Sequence, residues 1–182
     1  AAMSGFLPLR RGFGLLLVMA LGALFLFPRL DALVVNREQE LRVLLTSRTM
    51  AEGGSWLVPQ YLGEPRLRKP PLLYWITAGL YRLAGSTASV TLARAPAAVS
   101  ALALAALLYG IGAQLMGRRR GVIAALVCVS SFIVLRQGRL AETDVPLTLF
   151  TTLSLYAGYR ALRAPPGWRW WLLAGAASGL GF

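Results

Sequence analysis

Long apolar runs separated by short polar turns make up most of this chain. The runs are rich in Leu, Ala, Val and Phe and lie near residues 8–28, 95–117, 121–138, 145–162 and 170–182. A helix needs about 20 apolar residues to cross the hydrocarbon core of a bilayer, and the third run is short for that purpose. The pattern predicts an all-α membrane protein, a polytopic helical bundle with five spans.

The segment 29–94 between the first two runs is more polar and predicts two shorter helices. The first helix is expected from Asn36 to Gly53, with Asn36 and Gln39 in a capping box and with an i, i+4 ion pair between Glu38 and Arg42. A leucine stripe on this helix is typical of a helix that lies on a membrane surface; it consists of Leu41, Leu44 and Leu45.

The second short helix is expected to begin at Pro70 and to end at Gly85, a residue suited to the position after a helix. At 1.5 Å per residue it reaches roughly 24 Å, which is less than the core of a bilayer. We therefore expect a long loop, 29–94, that carries two interfacial helices.

The positions of the short basic turns predict which side of the membrane this loop faces. Arginines cluster at 10–11, 118–120 and 160–169, and the positive-inside rule places such short turns in the cytoplasm. The segment 29–94 and the turn at 136–144 then lie on the outer face. For a bacterial protein this predicts a multi-pass protein of the inner membrane with its site outside.

The composition supports a membrane protein and indicates which classes of molecule it binds. The 182 residues are 57% hydrophobic and 14% charged, whereas soluble domains average about 25% charged residues. The 19 Lys and Arg against 7 Asp and Glu are scattered among apolar runs. This favours lipid headgroups and phosphate as partners and not nucleic acid. The chain begins with Ala and ends inside an apolar run, so we expect an N-terminal fragment of a larger protein.

Two features of the outer segments could carry chemistry. Arg68 and Lys69 stand at the N-terminus of the second short helix, where free N–H groups and a partial positive charge favour an anion. The alternative is an ordinary patch for lipid headgroups. Asp144 precedes the fourth run and is a candidate base, or else only the N-cap of that run, with Glu142 as a solvated neighbour.

The remaining candidates are weaker. Glu40 on the first short helix could act as a carboxylate of the site or be a surface residue paired with its neighbours. Arg136 and Arg139 could be anchors that reach lipid headgroups, or could neutralise an anionic substrate beside Asp144, and Arg48 is a further candidate for phosphate contacts. Carboxylates and cations together suit group transfer from a lipid phosphate.

The order of short motifs in the outer loop resembles a known family. The motifs are Arg48-Thr49-Met50, Gly54-Ser55-Trp56, Gly63-Glu64-Pro65, Lys69-Pro70-Pro71 and Tyr74-Trp75, followed by "LARAPAAVSAL" and "GRLAETDVPL". They resemble bacterial relatives of the protein O-mannosyltransferases and the transferase that adds aminoarabinose to lipid A. These are membrane glycosyltransferases of the GT-C superfamily. The resemblance implies that residues 1–182 are the N-terminal part of such a transmembrane domain.

The resemblance also implies roles for individual residues. A sugar would pass from a polyprenyl-phosphate donor to an acceptor with inversion, with Asp144 as base or metal-orienting residue and Lys69 on the donor phosphate. The family's first Asp falls on Gln39 here, which leaves Glu40 as its displaced substitute, and the Glu before the Lys is Arg68. The resemblance therefore leaves open whether this chain binds the divalent metal of the family.

These two departures favour an alternative function. A non-catalytic membrane module that binds a lipid-linked phosphate or a partner protein would not need the carboxylates that Gln39 and Arg68 replace. A transporter is disfavoured because the charges gather at the outer boundary and not in the middle of a run.

Overall fold

The computed structural model describes residues 13–67, 69–163 and 167–181. Within these ranges the chain is mostly helical, as the apolar pattern predicts, and it includes one short hairpin that the pattern does not predict. In chain order the elements are α1 (Phe13–Leu26), α2 (Glu38–Ala51), β1 (Gln60–Tyr61), β2 (Glu64–Pro65), α3 (Leu72–Ala84), α4 (Val90–Met116), α5 (Arg118–Ser130), α6 (Phe132–Gly138), α7 (Asp144–Arg163) and α8 (Trp168–Gly181).

Helix α4 is the centre of the fold and packs against α1, α2, α3, α5, α6 and α7. Many of its buried residues are alanines, and such small side chains let neighbouring helices approach closely. At the turn into α5, a Cβ added to Gly112 would lie 2.8 Å from the Cα of Gly121, so the two backbones are in contact there. Glycine is required at this crossing.

Helix α4 is also the one helix in the described ranges that is long and apolar enough by itself to cross a membrane. It begins at Val90, earlier than the predicted 95, because the Oγ of Ser89 accepts the N–H of Leu92 at 3.3 Å and caps the helix. Helices α5 and α6 meet the same test only when they are taken together. The full set of five spans stays a prediction, and residues 8–12 of the first lie outside the described residues.

The third predicted span, 121–138, is not one continuous helix. The chain bends by 61° between α5 and α6, where Ser131 is extended. The Oγ of Ser130 donates to the carbonyl of Val127 at 3.3 Å, and bonds from serine to the preceding turn often bend helices. The break turns α6 toward the start of α7, so that it contributes residues to the site described below.

The two short helices of the segment 29–94 are present, with corrected starts. Helix α2 has Arg37 as its N-cap residue, without a side-chain cap, so the predicted capping box of Asn36 and Gln39 is wrong. The predicted ion pair of Glu38 with Arg42 is confirmed. Helix α3 starts at Leu72 and its end is confirmed, because Gly85 follows it in the left-handed conformation at φ 63°.

The buried face of α2 differs from the predicted leucine stripe. Its buried residues include Glu40, Val43 and Met50, whereas Leu41 is exposed. Val43 and Met50 pack with apolar residues of α3. Helix α2 therefore joins the protein core through a face that the predicted leucine stripe did not identify. Contact of α2 and α3 with a membrane surface stays a prediction.

The strands β1 and β2 form an antiparallel hairpin between α2 and α3. Leu62 and Gly63 connect them with φ values of 52° and 86°, and two positive values are typical of the tight turn that matches strand twist. The N–H of Arg66 donates to the carbonyl of Pro59 at 2.7 Å and extends the pairing. The hairpin therefore fixes Arg66 next to the start of α3.

Candidate active site

A polar cleft of about 100 Å³ lies where four segments meet: the first turn of α2, the chain after the hairpin, α3, and the start of α7. Its lining consists of Gln39, Val43, Arg66, Lys69, Tyr74, Glu142, Thr143 and Asp144. Two cations and two carboxylates thus face one small space. We call this space the polar cleft.

The polar cleft brings together Lys69 and Asp144, two candidates that are far apart in the sequence. The Nζ of Lys69 lies 3.9 Å from Oδ1 of Asp144, an ion pair too long for a hydrogen bond. The Nε2 of Gln137 donates to Oδ2 of Asp144 at 3.2 Å. Asp144 therefore has one oxygen oriented by an amide and the other beside a cation.

Asp144 is the first residue of α7 and not the residue before it. Its side chain points to Gln137 and Lys69, while the N–H of Leu147 is satisfied by the carbonyl of Thr143. The carboxylate is 53% exposed, so a substrate can reach it. These contacts do not show the N-cap role that was the alternative for this residue.

Arg66 is a cation of the cleft that the sequence analysis did not select. It is only 9% exposed, and its Nε donates to the hydroxyl of Tyr74 at 2.9 Å. Its guanidinium also lies 6.0 Å from the centre of the Tyr61 ring. Within the described residues it makes no ion pair, so its charge is available to a ligand.

Glu142 is buried and not the solvated neighbour that was expected. Its Oε1 accepts a hydrogen bond from Nη1 of Arg37 at 2.9 Å, and the carboxylate is mostly covered. Because Arg37 neutralises Glu142, the carboxylate of Asp144 is the more accessible one. Asp144 is therefore the better placed of the two to accept a proton.

Glu40 lies outside the polar cleft in a buried ion pair. Both it and Arg94 of α4 are 0% exposed, and the guanidinium binds the two carboxylate oxygens at 2.6 and 2.9 Å. Oε1 also accepts the N–H of Ala141 at 3.0 Å, and Nη1 of Arg94 donates to the carbonyls of Leu30 and Leu33. The pair ties α2, α4, the linker before α2 and the turn before α7 to one another.

The neighbouring residue, Gln39, faces the cleft instead. Successive helical residues point about 100° apart, so the two side chains cannot occupy the same place. Gln39, to which the resemblance assigns the family's first Asp, thus presents an amide to the cleft, while Glu40 turns into the core.

The other arginine candidates lie in different surroundings. Arg139 donates to the carbonyls of Phe25, Leu26, Pro28 and Arg29, the C-terminal end of α1, where a cation is favourable. Arg48 pairs with Glu52 at 2.8 Å. That contact, with help from Thr87, holds the pKa of Glu52 below its usual value.

The two remaining predicted phosphate ligands are Arg136 and Arg68. Arg136 is exposed on α6 and does not line the polar cleft. Arg68 lies outside the described residues. Among the residues that the structure describes, the cations that line the polar cleft are Lys69 and Arg66.

A metal site was left open, and the donor set of the cleft argues against one built from these residues. Among the residues that the structure describes, no group of three or more His, Cys, Asp or Glu lies close enough to hold an ion. Glu142 is already paired with Arg37, and Gln39 offers only an amide oxygen. The polar cleft therefore does not offer two unpaired carboxylates, the kind of ligand pair that suits Mg²⁺, among the described residues.

A second, more apolar space adjoins the polar cleft. It measures about 300 Å³ and is lined by Leu57, Pro59, Arg66, Leu67, Lys69, Pro70 and Pro71. Arg66 and Lys69 line both spaces. A ligand with a charged head and an apolar chain would match this combination, with its head between the two cations.

Comparison with known proteins gives a family for these features. Residues 68–182, which include Lys69 and Asp144, match the family described as dolichyl-phosphate-mannose-protein mannosyltransferase. The chain belongs to this family. The predicted relationship to the GT-C superfamily of membrane glycosyltransferases, which use polyprenyl-phosphate sugars, is thereby confirmed.

Curated relatives agree with this assignment. The chain is 32% identical over 178 residues to undecaprenyl phosphate-alpha-4-amino-4-deoxy-L-arabinose arabinosyl transferase 2 of Sodalis glossinidius, covering 96% of this chain and 32% of that protein. It is 33% identical over 175 residues to an arabinosyl transferase of the same description from Pseudomonas aeruginosa, covering 92% and 31%. An uncharacterized protein of Aquifex aeolicus is 31% identical over 134 residues, which cover 73% of this chain and 26% of that protein.

The chain spans about a third or less of the length of these relatives. No solved structure matches it. The activity of a whole protein of this family is therefore a proposal for this chain.

Proposed function

We propose that the protein is a membrane glycosyltransferase that moves a sugar from a polyprenyl-phosphate donor to an acceptor on the outer face of the membrane. The observation that carries this proposal is the polar cleft, in which Lys69 and Asp144 lie 3.9 Å apart within the segment that matches the family. The relatives are named for transfer from an undecaprenyl phosphate sugar, which supports the class of donor.

In this proposal each group of the polar cleft has one task. Asp144 takes the proton of an acceptor hydroxyl as its oxygen attacks the anomeric carbon, and the bond from that carbon to the phosphate oxygen breaks. Polyprenyl phosphate leaves with the bonding electron pair, and Lys69 and Arg66 stabilise its growing negative charge. Attack opposite the leaving phosphate inverts the anomeric configuration.

Glu40 has a positioning role in this proposal and not a chemical one. Its carboxylate accepts the N–H of Ala141, three residues before Asp144, and is buried in the ion pair with Arg94. Through this contact the buried pair fixes the turn that carries the base. Gln39, which faces the cleft, can bind substrate hydroxyl groups but cannot take up a proton.

The stereochemistry of the product tests the reaction itself. With a donor of known anomeric configuration, the proposal requires a product of the opposite configuration, assigned by the coupling constant of the anomeric proton. Retention of configuration would contradict direct attack assisted by Asp144.

The non-catalytic module remains a second candidate because Gln39 presents an amide to the polar cleft. Such a module would bind a lipid-linked sugar and leave it intact. Recovery of the unaltered donor after prolonged incubation with acceptor membranes would support the module, whereas release of polyprenyl phosphate would support the enzyme.

We expect Lys69→Ala to weaken donor binding about tenfold or more. The change removes a charge-assisted contact with phosphate, an interaction that contributes about 1.5–3 kcal/mol, and each ~1.4 kcal/mol is a factor of ten. The dissociation constant of a polyprenyl phosphate can be measured with the purified protein in detergent.

Arg48→Ala is the matched control for Lys69→Ala. It also removes one cation of the loop, but Arg48 pairs with Glu52 and does not line the cleft, so donor binding should stay unchanged. Equal losses in the two variants would point to a general effect of charge at the membrane and would contradict a phosphate site at Lys69.

The outer position of the segment 29–94 gives a further prediction. In a Cys128→Ala background, Glu64→Cys at the exposed hairpin should react with a membrane-impermeant thiol reagent in cells whose outer barrier has been made permeable. Arg119→Cys, in the first turn of α5 on the side predicted to be cytoplasmic, should react only after the inner membrane is opened. The reverse labelling pattern would place the polar cleft on the other side.

A further inference from the structure

A third space lies against the hairpin. It measures about 230 Å³ and is lined by Arg42, Tyr61, Glu64, Pro65 and Arg66. We call it the hairpin cleft. It shares Arg66 with the polar cleft but neither Lys69 nor Asp144, so it is a separate place for a ligand.

Two guanidinium groups meet on one aromatic ring in the hairpin cleft. The guanidinium carbons of Arg42 and Arg66 lie 5.8 and 6.0 Å from the centre of the Tyr61 ring. Each contact with the ring is favourable, but two like charges near one another repel. An anion between them would remove this repulsion.

The hydrogen bonds of the two arginines are incomplete. Arg66 is nine-tenths buried, and its one side-chain hydrogen bond within the described residues uses Nε. The Nε of Arg42 is buried without a partner. Buried polar groups in proteins are almost always satisfied, so donors that lack an acceptor indicate a missing ligand or solvent.

The charge of the cleft is compatible with an anion. Glu64 is the one carboxylate of its lining, and it is exposed and makes no ion pair in the described part of the chain. Glu38 pairs with Arg42 from outside the lining. Within the described residues Arg66 is thus the cation of the lining without an ion pair, while Arg42 is partly neutralised by Glu38.

Apolar side chains beside the cleft indicate the kind of molecule that carries the anion. Leu62 at the tip of the hairpin is 76% exposed. Leu57 and Leu67, which are 84% and 74% exposed, line the apolar space that adjoins the polar cleft. Exposed leucines next to arginines are typical of a surface that enters the headgroup region of a bilayer. A lipid offers both the phosphate and the chains that these residues require.

We propose that the hairpin cleft binds the phosphate headgroup of a second membrane lipid, next to and distinct from the donor. Arg42 and Arg66 contact the phosphate, and Leu62 at the tip of the hairpin contacts the lipid chains. This site does not depend on the proposed sugar transfer, because binding alone defines it.

The test measures binding of a short-chain phosphatidic acid to the purified protein in detergent. The polar cleft is first saturated with a polyprenyl phosphate, so that a second phosphate site is observed separately. We expect phosphatidic acid to bind without displacing the polyprenyl phosphate, and the matching diacylglycerol, which lacks phosphate, not to bind. Arg42→Gln should weaken binding on the order of tenfold or more.

Glu38→Gln is the matched control, since it breaks the same ion pair and leaves Arg42 in place. It should bind phosphatidic acid at least as well as the unaltered protein. Tyr61→Leu, which removes the ring under both guanidiniums, should also weaken binding and provides a second test should Arg42→Gln fail to fold.

Four results would overturn the proposal. They are simple competition between the two lipids, unchanged binding in Arg42→Gln and Tyr61→Leu, equal losses in Arg42→Gln and Glu38→Gln, and inorganic phosphate that binds as tightly as phosphatidic acid. The last result would assign the hairpin cleft to a free phosphate and not to a lipid.

Discussion

Asp144→Asn should lower turnover by roughly 10²–10⁴ while the protein folds as before. Asparagine keeps an oxygen that can accept the hydrogen bond from Gln137, and it is well tolerated at the start of a helix. It cannot take up the proton of an acceptor at neutral pH, so the rate should fall by the contribution of general-base catalysis. Turnover of a labelled polyprenyl-phosphate sugar, normalised to folded protein, measures the effect.

The control for this prediction is Gln137→Ala. It removes the amide that orients Asp144 but leaves the carboxylate, so the loss of turnover should be smaller than in Asp144→Asn. A variant Asp144→Asn with near-normal turnover would remove Asp144 as the base.

Glu40→Gln should destabilise the folded protein by about 3–5 kcal/mol. The change leaves the charge of Arg94 uncompensated in a site that is 0% exposed, and breaking a buried ion pair in this way has a cost of that order. The free energy of unfolding, or the loss of apparent Tm in detergent together with the yield of folded protein, measures the effect.

The conservative variant Arg94→Lys separates charge from geometry. It keeps the charge opposite Glu40 but loses the fork that binds both carboxylate oxygens, so it should destabilise less than Glu40→Gln. If Glu40→Gln were as stable as the unaltered protein but inactive, Glu40 would be a chemical residue and its positioning role would be contradicted.

The elements that local patterns could predict are those whose causes lie within a few residues. Glu38 and Arg42 are one helical turn apart, and Gly85 supplies the left-handed residue that ends α3, so both were predictable. The bend at Ser131 was not, because its apolar run shows no proline or glycine at the break and a serine pair is a weak signal.

The candidate site required information that local patterns do not contain. Lys69 and Asp144 were selected through motifs that resemble a family, and only the fold shows that they share a cleft. Arg66 was not selected as a phosphate ligand because a loop arginine is usually solvated, and its burial depends on Tyr74 and on the hairpin. That hairpin turns at Leu62-Gly63, which lacks the Asn-Gly or Asp-Gly signal of such turns.

The burial of Glu40 also could not be predicted from its local sequence. Its sequence neighbours suggested an exposed carboxylate, but its partner Arg94 is 54 residues away on the central helix. A helical rotation of about 100° between Gln39 and Glu40 then decides which of the two side chains meets the substrate. Which of the two side chains faces the cleft is decided by tertiary packing and cannot be read from the order of residues.

The most direct test of the proposed sugar transfer is the release of labelled polyprenyl phosphate from a panel of polyprenyl-phosphate sugars by the full-length protein in detergent, with acceptor membranes present. We expect that at least one donor is consumed, that its sugar appears on an acceptor, and that Asp144→Asn and Lys69→Ala both reduce this turnover. Tight binding of every donor with no release of polyprenyl phosphate from any of them would contradict the proposed sugar transfer.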